Sequence, residues 1–553
     1  MAPSKTDKAG ATAPSEVYNW RIYLLALCAS MGSAMFGYDS AFIGGAMTLP
    51  SFQQRFGLDK LSGNPLASLK ANTVSTFQAG CFFGAILCYW MTERFGRKIT
   101  LIVCGVVFDI GVVFQLASSG RVGFIYAGRA ITGLGVGASS LLVPVYISEW
   151  SPPAIRGRLI GIFEVFLQVF QVIGFWINYA VNIHEPTTDR QWHIPFAFQL
   201  VPGSLLVIAM ITQPESPRWL IKAGRVHQAS QVLSRIRQLP ETHEYLAWEV
   251  QSIESQLERE GQTHTGALAN VKAMIREMKA PGNRVRILLG VAIMFLQNLV
   301  GANAINYYSP SIFASVGFTG SSVGLLATGI YGLVKVVSTL IFITWIVDRV
   351  GRRPPLIYGS LGALVAMLYL GIYTKISNAF SGQAPRDAGA YVAITTIYVF
   401  GVFFCCSWNS VAWIFWFVCP YSLNALNSAE IFPMRIRSIC LVITTCCQWL
   451  GQFVIVYSTP YMMEGIQWGT FIFFASSIVL GIIFSYFFIP ETEGVSLEEM
   501  DILFSAPGSA RQKRKAVEEV IAERREEAEG LAGAEDVQEI KHESTDAKHV
   551  ESV

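Results

Sequence analysis

The strongest constraint on this chain is a succession of apolar runs of about 20 residues, the length of helix that crosses the hydrocarbon core of a bilayer. With a window of about 19 residues, they fall near 22–48, 71–91, 99–117, 122–147, 158–182, 195–212, 286–315, 321–347, 355–374, 390–418, 439–462 and 468–489. Twelve such runs leave no water-soluble fold to consider. The expected class is an all-α polytopic membrane protein, because backbone groups in lipid must be paired within a helix or a closed barrel. Composition agrees. Of 553 residues 52% are hydrophobic and 14% charged, against roughly 25% charged in soluble domains, and the mean hydropathy is +0.42 despite a polar tail after Phe504. A net charge of +2 leaves no basic surplus to neutralise phosphates, which excludes a nucleic-acid partner.

The ten cysteines lie in or beside apolar runs with no paired spacing in a polar loop, so neither disulfides nor a zinc site is expected. The first twenty residues lack the apolar core of a cleaved signal peptide, which makes the first run both anchor and targeting signal.

Loops carrying Arg94, Arg97 and Lys98, then Arg156 and Arg158, then Arg349, Arg352 and Arg353, then Arg435 and Arg437 all follow even-numbered runs. The loops at 316–320 and 463–467 have no Lys or Arg. Positive charge stays in the cytoplasm, so both termini are expected there, although Arg55, Lys60 and Lys70 in the first external loop dilute the asymmetry. The chain then divides into an N-terminal tail (1–21), a six-helix half (22–212), a linker (213–285), a second six-helix half (286–489) and a C-terminal tail (490–553). The linker repeats apolar residues at helical spacing, Ala229, Val232, Leu233 and Ile236 and then Leu246, Val250, Ile253 and Leu257. It reads as amphipathic helices on the cytoplasmic face. The tail from Arg511, rich in Glu, Lys and Ala, reads as partly helical or disordered.

The two halves repeat each other. Glu93-Arg94-Phe95-Gly96-Arg97-Lys98 after the second run is echoed by Asp348-Arg349-Val350-Gly351-Arg352-Arg353 after the eighth. Glu149 with Arg156 after the fourth is echoed by Glu430 with Arg437 after the tenth. Topology alone explains the arginines but not acids at matching offsets. Six helices plus six is the plan of a transporter made of parallel repeats, with its site near the midplane between them. Glu93, Arg94, Arg97, Glu149, Arg156, Asp348, Arg349, Arg352, Glu430 and Arg437 are the candidate cytoplasmic gate. Ion pairs near water are individually weak, which suits a machine that rocks.

Several motifs stand in a specific order: Gly37-Tyr38-Asp39 with Gly44-Gly45, Gly128-Arg129 with Gly133, Gly135 and Gly137, and Pro144-Val145-Tyr146 with Glu149. Pro214-Glu215-Ser216-Pro217-Arg218-Trp219-Leu220, Gly301-Ala302-Asn303 with Tyr307-Tyr308, and Pro490-Glu491-Thr492-Glu493-Gly494 complete them. In this order the chain, over about 17–500, resembles the sugar porter branch of the major facilitator superfamily. Val17-Tyr18-Asn19-Trp20-Arg21 and Gly174-Phe175-Trp176-Ile177-Asn178-Tyr179 are most similar to fungal quinate permeases. The resemblance implies the major facilitator fold and a transport activity.

It also implies site residues. Gln168 in the fifth helix and Gln297, Asn303 and Asn306 in the seventh stand where the family lines its site with amides. Paired donors and acceptors suit vicinal hydroxyls, although interhelical hydrogen bonding uses the same chemistry. Asn298 replaces the second Gln of a family pair, and Gln448-Trp449 with Gln452 replaces an Asn-Trp pattern, which shifts the expectation away from glucose. Trp413 matches a tryptophan that packs over the ligand, but Ala412 precedes it in place of the family proline. Tyr307 and Tyr308 either gate the outside or line helix packing.

Ionisable groups inside spans are functional candidates, here Asp39, Asp109, Arg129, Glu164 and Lys335. Asp39 matches the first-helix acid of the family's proton symporters and Arg129 the arginine that pairs with it. The pair either titrates as the site opens and closes or is a permanent structural ion pair. Lys335 either meets a substrate carboxylate, pairs with Asp109 or Glu164, or snorkels.

Sixteen residues separate Trp413 from Glu430, about a dozen more than the family spacing. The extra stretch near 416–428, with Cys419-Pro420, is either an intron retained in the predicted gene or a genuine insertion.

The expected function is proton-coupled uptake of quinate or a related polyol across the plasma membrane, by a monomer without cofactor, metal or covalent catalysis. The rivals are a hexose or other sugar symporter, a uniporter, and a non-transporting nutrient sensor. An enzyme is disfavoured, because the histidines form no metal motif and no nucleophile–base pairing is visible.

Overall fold

Among the described residues, twelve helices are long and apolar enough to cross a membrane. They are α1 (Ser15–Ala46), α2 (Gly63–Phe95), α3 (Arg97–Leu116), α4 (Val122–Trp150), α5 (Arg156–His184), α6 (Asp189–Thr212), α7 (Gly282–Ser315), α8 (Ser321–Ile346), α9 (Arg353–Ile376), α10 (Ala388–Ala412), α11 (Arg437–Gly465) and α12 (Gly469–Phe487). The structure, a computed structural model, describes residues 14–152, 155–259, 267–318, 320–381, 387–412, 436–491, 504, 512–515 and 517–520. Trp413, the stretch at 416–428, Glu430 and the side chain of Asp348 lie outside the described residues.

Each apolar run becomes one of these helices, with shifted ends. The tenth, expected to reach 418, is described as far as Ala412. Long apolar segments close their own backbone hydrogen bonds, which is what lipid demands, and packing against neighbours decides which face is buried. Within the first half α2 and α3 pack on α4, and α1 packs on α5; within the second α9 packs on α10 and α12, and α7 on α11.

The halves meet through α2 on α11 and α5 on α8, with α1 on α7 as a third contact. Exchanging the halves exchanges the first two contacts with each other, the relation that a duplicated six-helix unit produces. The loops after α2 and α8 both turn through a glycine of positive φ, Gly96 and Gly351.

Between α6 and α7 run the short helices Pro217–Lys222, Val226–Arg237, Glu244–Arg259 and Ala267–Met278. Ser216 caps the first by accepting from the Trp219 N–H. Ala229, Leu233, Ile236, Leu246 and Leu257 are buried, so the apolar stripe seen in the linker is its packed face.

Candidate functional site

The seventh helix is broken where the amides stand. Gly301 takes φ +95° between Pro281–Leu299 and Ala302–Ser315. That left-handed value favours glycine, and a Cβ there would meet the Phe474 ring at 2.7 Å. Asn303 donates across the break to Asn298 Oδ1 at 2.7 Å. Asn298 donates to Gln448 Oε1 on α11 at 2.8 Å, and Gln297 to the Trp408 carbonyl on α10 at 3.0 Å. Gln297 Oε1 is buried without a partner among the described residues.

Helical spacing sets Glu164, Gln168 and Gln171 along one face of α5. Gln168 donates to Glu164 Oε1 at 3.1 Å, and Asn409 of α10 donates to the same oxygen. Glu164 Oε2 and Gln168 Oε1 are buried and unpartnered among the described residues. From the opposite half, Lys335 Nζ on α8 donates to Gln171 Oε1 at 2.6 Å and Asn306 Oδ1 at 3.1 Å. Only 1% of Lys335 is exposed.

Two alternatives for Lys335 are therefore corrected. Asp109 lies on α3 and accepts from Ser204 at 2.9 Å, and Glu164 shares a cavity with Lys335 without an ion pair between them among the described residues. Nor does Lys335 snorkel, since its ammonium is held by amide oxygens inside the protein.

These side chains line a cavity of about 40 Å³ together with Ser40 and Gln452, and Glu164 and Lys335 are the ionisable groups in that lining. It has room for about three waters, so a ring polyol fits only if the side chains part. A π-helical turn at Cys405–Asn409 carries Asn409 to this cavity. Such turns interrupt helices at functional positions, and this one stands just before Trp413, where the missing family proline puts a kink in question.

Beside the cavity Asp39 and Arg129, both fully buried, form an ion pair. Arg129 also donates to the Thr73 carbonyl at 3.2 Å and lies 4.8 Å over the Phe77 ring. Asp39 Oδ2 and Arg129 Nη2 have no partner among the described residues. Ser40, the next residue, accepts from Gln171 at 3.4 Å. Helix α1 thus joins the pair to the amide that holds Lys335.

On the other side of the cavity from the arginine-bearing loops the halves are closed. A Cβ on Gly44 would stand 2.1 Å from the Tyr307 carbonyl oxygen, so α1 and α7 touch backbone to backbone. Tyr307 Oη accepts from Gln452 at 3.2 Å and Tyr308 donates to the Val456 carbonyl at 3.0 Å. Both tyrosines are buried at this contact.

The arginine-bearing end is hollow instead, with a cavity of about 290 Å³ whose lining includes Glu93, Arg97, Glu149, Arg156, Lys222 and Arg437. Arg97 pairs with Glu149 at 3.0 Å and is buried there rather than near water as expected of the gate, and Glu93 pairs with Lys222 of the linker. Arg94 lies 5.7 Å over the Trp90 ring, and Arg156 Nε is buried without a partner among the described residues.

Sequence reading missed Gln171, Asn409, Lys222 and two carboxylates. Glu215 accepts from the backbone N–H of Arg97 at 2.8 Å, Lys98 at 3.1 Å and Ser216 at 2.8 Å. Glu491 accepts from those of Arg352 at 3.1 Å and Arg353 at 3.0 Å. Each carboxylate caps the start of a helix, α3 or α9, where amide N–H groups lack partners. Burial raises the Glu215 pKa from its ordinary value, against the pull of these N–H groups and of Arg97. The signal was present, because Pro214-Glu215-Ser216 follows the sixth run as Pro490-Glu491-Thr492 follows the twelfth.

Comparison with known proteins gives consistent matches. The family model described as Sugar (and other) transporter matches residues 25–504. A "Probable quinate permease" of Aspergillus terreus is 41% identical over 544 residues, 98% of this chain and 96% of that protein. A "Quinate permease" of Neurospora africana is 40% identical, covering 93% of this chain and 95% of that one. Among solved structures, the proton:xylose symporter XylE bound to 6-bromo-6-deoxy-D-glucose superposes with TM-score 0.70 at 29% identity, over 87% of this chain and 99% of the symporter. XylE from E. coli in a partially occluded inward-open conformation gives 0.69 at 28% identity, over 87% and 100%.

Proposed function

The chain belongs to the sugar (and other) transporter family and has the major facilitator fold, and from that premise we propose that it carries quinate, or a closely related carboxylate-bearing polyol, into the cell together with a proton. The observation that carries this reading is Lys335, an ammonium inside the central cavity whose hydrogen bonds go to amide oxygens rather than to a carboxylate. A buried cation that, among the described residues, is hydrogen-bonded to amide oxygens with no carboxylate in contact favours an arriving anion, and a polyol carboxylic acid is ionised at neutral pH. The buried oxygens Gln168 Oε1 and Gln297 Oε1 suit the hydroxyls of the same molecule. The relatives named quinate permeases support this substrate.

Asp39 is the proton carrier. Opening the closed side exposes it to water, and protonation removes the charge that holds Arg129. Loss of that pair frees α1, whose Ser40 reaches the cavity through Gln171. Proton and substrate then leave together at the arginine-bearing end. The fit to XylE, a proton symporter by name, supports the coupling. With basic loops inside, both termini are cytoplasmic, the membrane is the plasma membrane, and the 290 Å³ cavity opens inward. Glu93, Arg97, Glu149, Arg156, Arg349, Arg352 and Arg437 re-form the inner gate when the site faces out.

Uptake of labelled quinate into transporter-null yeast, with glucose and other sugars as competitors, tests the assignment. Quinate uptake unaffected by excess glucose supports it, and uptake of glucose without quinate retires it.

A further inference from the structure

One titratable group in the central cavity has no part in coupling through Asp39. Glu164 Oε1 is engaged by Gln168 from its own helix and by Asn409 from the other half, while Oε2 is buried and unpartnered among the described residues. Few charged or titratable groups face it. Lys335 of α8 lines the same cavity, the Cys405 thiol of α10 is within electrostatic reach of both, and Asp39 of α1 is taken by Arg129 of α4. Asp189 and Arg190 of α6 are exposed at the opposite end.

With Glu164 ionised, its charge and that of Lys335 cancel. A substrate carboxylate entering this cavity leaves one negative charge in excess, far from water, where uncompensated charge is costly. A proton on Glu164 restores neutrality. Oε1 already accepts two N–H donors, so the proton belongs on Oε2, the oxygen with no donor among the described residues.

We propose that Glu164 takes up a proton on Oε2 with each anionic substrate, so that a carboxylate-bearing polyol enters with two protons, one on Asp39 and one on Glu164. This rests on the reading of the substrate as a monoanion. Facing out, an O–H bond forms at Oε2 with a proton from the external solution as the carboxylate seats against Lys335; facing in, the substrate leaves and that proton passes to internal water. Two protons and one anion move one positive charge inward per cycle. A neutral sugar creates no demand for the second proton.

The test uses purified full-length protein in proteoliposomes, with labelled quinate flux and charge movement measured together in the wild type and in Glu164→Gln. Glutamine keeps an oxygen for Gln168 and Asn409 and loses the titrating one. The wild type is expected to move about one positive charge per quinate and to be accelerated by an inside-negative potential, whereas Glu164→Gln moves about none and ignores the potential. Electroneutral wild-type uptake, or a variant with the wild-type charge ratio, overturns the proposal. Calorimetric binding in buffers of different ionisation heat reads the same stoichiometry without flux: the variant takes up one proton fewer per quinate bound, and an unchanged number overturns the proposal. Liposomes that carry a neutral sugar and refuse quinate contradict the substrate reading itself, whereas quinate uptake with the wrong charge ratio contradicts only the role of Glu164.

Discussion

Lys335 Nζ donates to Gln171 Oε1 at 2.6 Å, and this hydrogen bond ties α8 of one half to α5 of the other across the central cavity. Any rocking of the halves must break it. On the proposed reading, a substrate carboxylate that took over the ammonium would release Gln171, and through Ser40 would release α1, so that binding and motion would share one contact.

Removing that ammonium should separate anions from neutral polyols. A hydrogen bond to a charged group contributes about 1.5–3 kcal/mol, so Lys335→Met is expected to weaken quinate binding by roughly 10- to 150-fold. A polyol lacking the carboxyl group should change by less than about threefold on the same scale, and Lys335→Arg should recover part of the loss. Calorimetric titration of the purified variants with both ligands checks this, and equal losses for the two would assign Lys335 to structure alone.

The Asp39–Arg129 pair should control net transport more than exchange. Asp39→Asn removes the group whose protonation and release break and re-form the pair with Arg129, so accumulation against a gradient is expected to vanish while exchange of internal for external quinate persists. The sign follows from the carboxylate. Wild-type net uptake rises as external pH falls, because the loaded form is the protonated one, and the variant shows no such rise. Paired uptake and counterflow assays read the difference.

Gly44 should tolerate no side chain. A Cβ at this position would stand 2.1 Å from the Tyr307 carbonyl oxygen, and overpacking of that kind costs about 1–3 kcal/mol. Gly44→Ala is expected to shift the population away from the state closed at this end by about 5- to 150-fold. Labelling of a cysteine introduced beside Tyr308 measures it: faster modification in the variant is the predicted outcome, and unchanged labelling contradicts the closure.

Arg97 and Glu149, with side chains 9% and 8% exposed, form a pair whose separation leaves a charge in poor solvent. Breaking such a pair by removing one partner costs about 3–5 kcal/mol, so Glu149→Ala should lower the melting temperature of the purified protein. Adding Arg97→Ala should cost less than the sum of the single changes, with a coupling of about 1 kcal/mol or more. Additive losses would show that the two act independently.

The spans and the pairing of Asp39 with Arg129 were legible in the sequence, for different reasons. Spans are written in run length, because lipid allows little besides a helix. The buried pair was visible because an ionisable residue inside a span stands out against its neighbours, and the resemblance said which two belong together. Gln171 and Asn409 carried no such mark. Glutamine and asparagine are ordinary hydrogen-bonding residues of membrane helices, and Asn409 is presented by a π-helical turn that no periodicity announces. The alternatives for Lys335 were decided by geometry: which of Asp109, Glu164 and the amides it meets depends on how α3, α5 and α8 pack, and sequence order does not encode that. Glu215 and Glu491 stand in separate motifs, and only their matching positions at the starts of α3 and α9 reveal one device used twice.

If an anionic polyol and protons move together through this site, the pH of the outside solution reads their coupling most directly. Quinate added to lightly buffered, transporter-null cells expressing the protein should produce immediate external alkalinisation, absent with glucose and absent in Asp39→Asn. Entry of labelled quinate with no change in external pH would contradict the account.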